Sequence, residues 1–246
     1  MAQHHDIDFV FREWPYQPGV LSARLVTARD GREVLQMRIE MGILQMEITA
    51  RPDGERPGNF DTYLDWLKDQ AAEAGEDFTL TEQQCFEIDR EFLQFYHRRI
   101  CCLALREFDR AVADADHTLA LMDFVAAHSP DEEWAASHER YRPFVYFHRT
   151  QAVTLATLER SGAEAAIEEL NRGLEQLRQF FVDAEAEEEF DEDELVQQLR
   201  EMKESLRNEY HVGKTLAEQL AEAVAAEQYE RAARLRDEIA KRKGRV

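Results

Sequence analysis

The chain has 246 residues, 44% of them apolar, enough for one large domain or two to three small modules. Gly (10) and Pro (6) are too scarce for a collagen-like, low-complexity or turn-dense all-β chain. Acidic residues outnumber basic ones 51 to 30, a net charge of -21 that repels phosphate backbones and disfavours broad non-specific nucleic-acid binding outside a locally basic segment.

The first sixty residues are strand-like. Val20–Ala28 and Arg32–Met41 are β-rich runs separated by Arg29-Asp30-Gly31, a hairpin turn signal because Asp and Gly tolerate positive φ. Leu35, Met37, Ile39 and Met41 alternate with polar residues, which predicts a half-buried strand. A third run, Ile43–Thr49, alternates through Leu44, Met46 and Ile48 and is broken by Arg51-Pro52-Asp53-Gly54. The expectation is a three-stranded antiparallel meander over residues 1–58, with Trp14 and its neighbours packed on it.

Residues 59–182 read as helix. Tyr63, Leu64, Trp66 and Leu67 open an amphipathic stretch that stops at Gly75. Thr81-Glu82-Gln83-Gln84 is a capping box for a helix to about Leu105, and a further helix runs from Phe108 to Ala127. Pro143 separates a short helix from a longer one over Phe144–Arg160, and Ser161-Gly162 turns the chain into Ala163–Val182. Phe95-Tyr96-His97-Arg98 matches Tyr146-Phe147-His148-Arg149, and Ala111, Val112, Leu119 and Met122 match Ala166, Ile167, Leu174 and Leu177. This weak repeat resembles tetratricopeptide-type helical hairpins, although antiparallel hairpins of any origin give similar periodicity.

Nine of the twelve residues from Asp183 to Glu194 are acidic, which predicts a solvated linker (183–194) or the charged start of a helix. Residues 195–246 then hold a helix to about Tyr210 and a C-terminal pair. Leu216, Leu220 and Val224 form one helical stripe, and Tyr229, Ala232, Leu235 and Ile239 a second. Glu227-Gln228 can turn the chain between them, and Ala232 and Ala233 are small where two helices cross. The fold class expected is mainly α (α+β), with an N-terminal β-meander, a helical-hairpin middle and a C-terminal αα-hairpin.

The string Tyr229-Glu230-Arg231-Ala232-Ala233-Arg234-Leu235-Arg236-Asp237-Glu238-Ile239, following Leu220-Ala221-Glu222-Ala223-Val224, resembles the UVR motif. That motif is shared by the excision-repair proteins UvrB and UvrC, ClpC-type chaperone ATPases and the McsA adaptor. The resemblance covers about Lys214 to Val246 and is of the stand-alone bacterial type. It implies a helical hairpin that pairs with a second copy or a protein partner through Leu216, Leu220, Val224, Tyr229, Glu230, Ala232, Ala233, Leu235, Arg236, Asp237 and Ile239. Clp chaperone or protease components and excision-repair proteins are the partners it suggests. The chain has no P-loop and no cysteine pairs before the motif, so it is unlike a helicase, a Clp ATPase or the zinc-binding part of McsA.

Other constellations carry less. Cys85, Cys101 and Cys102 include no C-x-x-C, which speaks against a disulfide framework or zinc ribbon and for the cytosol. His4-His5-Asp6 lacks fixed geometry for a metal. His97 and His148 hold matching repeat positions and are either a paired polar site or ordinary groove-facing side chains. The loop from Arg51 to Pro57 is a surface candidate or a plain turn. No nucleophile elbow, H-E-x-x-H or phosphate loop is present, so the expectation is no catalysis, no cofactor and no metal. No apolar run approaches a membrane span and the N-terminus has no basic-then-apolar signal pattern, so a cytoplasmic interaction or adaptor protein is expected. The rival is a DNA-repair accessory, because residues 229–246 hold seven basic residues (Arg231, Arg234, Arg236, Lys241, Arg242, Lys243, Arg245) against three acidic ones. Whole-chain charge keeps such nucleic-acid contact weak.

Overall fold

A computed structural model describes residues 6–243. The chain forms two compact units, one to Ala152 and one from Val153. It is mainly helical, with one small sheet near the N-terminus.

In the first unit, β1 (Ala23–Thr27), β2 (Glu33–Ile39) and β3 (Gly42–Glu47) form an antiparallel meander in the order β1-β2-β3. Gly31, at φ +87, makes the first turn, as the Asp-Gly pair predicts. The register sets Leu35 against both Leu25 and Met46, and Met37 against Ala23 and Leu44, so these side chains share one face. That face packs on Cys101, Cys102, Ala111 and Ala152. Met41 does not join it: Glu40 and Met41 form the tight turn between β2 and β3, and Met41 is exposed. The opposite face is covered by the segment around α1 (Asp8–Glu13). Buried Arg38 bonds the Trp14 carbonyl through Nε at 2.8 Å and lies under the Phe11 ring, while Trp14 stacks on Arg24.

The helices α2 (Tyr63–Ala74), α3 (Glu82–Ala104), α4 (Phe108–His128) and α5 (Glu132–Glu139) complete this unit with the start of α6 (Arg142–Ser161). The capping box at Thr81 and Gln84 opens α3 as its sequence demands. Leu64, Leu67, Ile88, Leu121 and Val125 form the core between α2, α3 and α4. A buried carboxylate fastens α2: Glu91 accepts the Tyr63 and Leu64 backbone N–H groups at 2.7 and 3.1 Å, which places negative charge at a helix N-terminus. Arg98 of α3 donates twice to Asp114 of α4 through Nε and again through Nη2 at 2.7 Å. Its Nη1 reaches the Glu47 and Ala50 carbonyls at 3.0 and 2.7 Å. One guanidinium thus joins both helices to the end of the sheet.

The second unit holds α7 (Ala163–Asp183), α8 (Glu194–Tyr210), α9 (Leu216–Ala225) and α10 (Tyr229–Lys243). Ala163, Ala166, Ile167, Leu170, Leu177 and Phe181 give α7 one buried stripe. Within this unit α8 lies along α7. The acidic run between them is a compact turn, not an extended linker. Phe190 is 3% exposed, meets Phe181 edge-on at 5.8 Å and sits between Arg178 and Arg200. Asp193 then caps α8 by accepting the Leu195 and Val196 N–H groups. Burying one aromatic ring outweighs the repulsion of carboxylates that, Asp193 apart, are exposed to water.

Candidate functional site

The C-terminal hairpin begins with a second capping box: buried Thr215 accepts the Glu218 N–H, and the Glu218 carboxylate accepts the Thr215 N–H at 2.9 Å. Glu218 also pairs with Arg207 and, at 3.7 Å, with Lys203, which ties α9 to α8. The turn is a Schellman motif: Gln228 N–H donates to the Ala223 carbonyl at 2.7 Å and Glu227 N–H to that of Val224 at 3.0 Å. Glu227 takes the left-handed conformation this needs, at φ 55.

Ala223, Ala232 and Leu235 form the buried seam, with Leu216 and Leu220 packed against it. Ile239 is half-buried one turn on. The α9 stripe therefore runs through Leu216, Leu220 and Ala223, spaced i, i+4 and i+7, and not through Val224. Three expectations are corrected here. Val224 is 53% exposed and Tyr229 is 69% exposed, so neither belongs to the seam. Ala233 is exposed as well, and only Ala232 lies where the helices cross. The physical reason is the turn, which rotates α10 so that Ala232, Leu235 and Ile239 face α9. Each residue advances about 100° around a helix, which sends Ala233 outward. Tyr229, Ala233 and Arg236, at i, i+4 and i+7, make an outer stripe with Glu230 and Asp237 beside it; all five are exposed. Arg236 bonds Asp237 at 3.1 Å on this surface. Ala223 was the seam residue missed in the sequence, although its i+7 spacing from Leu216 pointed to it.

The remaining candidates separate cleanly. Cys101 and Cys102 are buried, and desolvation pushes both thiols up to about 12, leaving them unreactive. His4 and His5 lie outside the described residues, as do the side chains of Arg242 and Lys243 and all of Arg245. Among the described residues no His, Cys, Asp and Glu group could hold a metal ion, and no helix is long and apolar enough to cross a membrane. Arg51 is buried and is surrounded by carboxylates, with Glu87 at 3.0 Å, Asp53 at 3.3 Å and Glu91 at 3.6 Å, so its loop is a structural ion-pair cluster.

His97 and His148 do not bond each other. Buried His148 accepts the Arg99 Nε–H at Nδ1, 3.3 Å away, and burial, aided by the Arg99 charge, pushes its pKa down to about 4. Its ring is neutral in the folded chain, whereas the unfolded chain protonates it near 6.5. Between those values the unfolded state binds the extra proton. Stability is therefore fully present above pH 6.5 and falls as pH drops toward 4, by about 3 kcal/mol in all. Urea unfolding at pH 7 and pH 4.5 should show the loss, and His148→Asn, with an acceptor Oδ1 in place of Nδ1, should flatten that slope.

No curated protein matches this chain, and no solved structure does. Residues 214–243 fit the family model described as the UvrB/uvrC motif. The capped pair α9–α10, with its alanine-lined crossing and Schellman turn, is the stretch that fits this motif.

Proposed function

We propose that this chain is a non-catalytic, cytoplasmic interaction protein that docks a protein partner, or a second copy of itself, through the outer face of its C-terminal hairpin. The observation that carries this reading is the division of the motif. Ala223, Ala232 and Leu235 are consumed in closing the hairpin, while Val224, Tyr229, Glu230, Ala233, Arg236 and Asp237 face solvent. Tyrosine and arginine are among the residues enriched as energetic anchors at interfaces. Clp chaperone or protease components and excision-repair proteins are the partner classes in view.

A repair-accessory role is the second reading. The observation that favours it is the exposure of Arg231, Arg234, Arg236 and Lys241 on α10. The net charge of -21 opposes it.

Two variants test the docking face without touching the seam. Tyr229→Ala and Ala233→Arg should each lower recovery of an identified partner, or the dimer mass by light scattering, at least tenfold with unchanged helical circular dichroism. Ala232→Glu forces a carboxylate into the crossing and should unfold the hairpin. Unchanged association in both outer-face variants would sink the proposal. Titration with a duplex oligonucleotide should give only weak, steeply salt-dependent binding. Nanomolar binding at physiological salt would move the conclusion to the repair reading.

A further inference from the structure

The first unit contains a groove of about 740 Å³ between α3, α5 and the start of α6. Its walls are aromatic: Phe92 and Tyr96 from α3, Trp134 from α5, then Tyr141 and Phe144. Phe92 meets Tyr141 at 6.0 Å and Tyr96 meets Phe144 at 6.3 Å, so two ring pairs line the groove. Leu93 stands at the mouth and is exposed. The volume is that of a small-molecule site.

The polar groups are few and unequal. Asp89 is engaged by protein, with His138 Nε2 at 2.9 Å and Trp134 Nε1 at 3.2 Å. Arg99 is not engaged in that way. It is 1% exposed and lines the groove, yet among the described residues no carboxylate lies within ion-pair distance of it. Its guanidinium donates only to neutral partners, His148 Nδ1 and Thr118 Oγ1, and Nη2 has no protein acceptor among the described residues. The nearest buried carboxylate, Asp114, is held in a bidentate pair by Arg98. Two buried guanidiniums thus share one carboxylate. A buried cation without its own counter-ion is costly, and an anion brought to it is held strongly. Asp89 and Arg99 are ten residues apart on α3, about 15 Å along the axis, so the acid end of the groove does not cancel the cationic end.

From this we infer that the groove binds a small molecule with an aromatic or otherwise apolar body and a single carboxylate, the carboxylate seated on Arg99 and the body on the aromatic walls. The site lies wholly within the first unit.

The test uses the full chain and the probe pair 2-naphthylacetate and its neutral amide, followed by titration calorimetry. The acid should bind at least tenfold more tightly than the amide. Leu93→Glu, an exposed change at the mouth, should weaken the acid at least tenfold and the amide much less. Arg99→Met should erase the preference for the acid. Should that variant fail to fold, the acid-to-amide ratio on the unaltered chain and the response to Leu93→Glu still decide. Equal binding of acid and amide, no binding of either, or indifference to Leu93→Glu would overturn the inference.

Discussion

Replacing Arg98 by Met should destabilise the first unit by about 3–5 kcal/mol, the cost of leaving a buried carboxylate without its partner. Asp114 is almost wholly buried, and three of the guanidinium's five donor contacts go to it. The other two satisfy the Glu47 and Ala50 carbonyls where the sheet ends. The methylene stem of Met fills much of the same space, so the loss is electrostatic and not a cavity effect. Burial already raises the Asp114 pKa against the pull of Arg98. Without Arg98 it rises further, and lowering the pH should lessen the defect of the variant by neutralising the stranded carboxyl. Arg98→Met with Asp114→Leu should recover part of the loss, because both charges then leave together, while the two carbonyls still lack a donor. Urea unfolding monitored by circular dichroism measures each value. A single-variant loss below about 1 kcal/mol would show that the network contributes little.

Phe190→Ala should have a comparable effect on the second unit, about 3–5 kcal/mol by the usual range for truncating a buried ring. The ring is the sole large apolar anchor in the acidic run, and it carries contacts from Phe181, Arg178 and Arg200. With it gone, nothing apolar opposes the mutual repulsion of the surrounding carboxylates, and the turn should open. Limited proteolysis reports this directly. Cleavage within residues 183–194 should be slow in the unaltered chain and fast in the variant. Rapid cleavage there in both proteins would mean that the turn is open already and that the linker expected from composition describes it better.

Much of the architecture follows from local signals. The Asp30-Gly31 turn, the Thr81 capping box and the break at Gly162 each depend on residues within a few positions of one another, and each stands where expected. The C-terminal motif was legible for the same reason. The repeat was not a guide to chemistry. Arg98 and Arg149 hold equivalent repeat positions, yet Arg98 is buried on Asp114 while Arg149 pairs with Asp116 at the surface. Arg98 and Arg99 are neighbours with different fates, decided by Asp114 and His148, which only the folded chain brings near. Ala232 and Ala233 show the finest limit. Composition treats them alike, and a single step around the helix separates a crossing residue from a surface one. Phe190 was hidden in another way, because a charge run dominates any average taken over it.

The Schellman turn at the tip of the hairpin also sets a clock. Every contact in the seam joins α9 to the helix that directly follows it, so closing the hairpin costs little loop entropy. Helical pairs with such short connections form on the order of microseconds, whereas protein complexes persist for milliseconds or longer. A hairpin that opens therefore recloses faster than a complex turns over, and a partner arriving by diffusion meets it closed in the proportion its stability sets. The outer face of α10 is renewed with each closure, and the rate at which a complex forms reflects the fraction of time closed, not the time needed to fold.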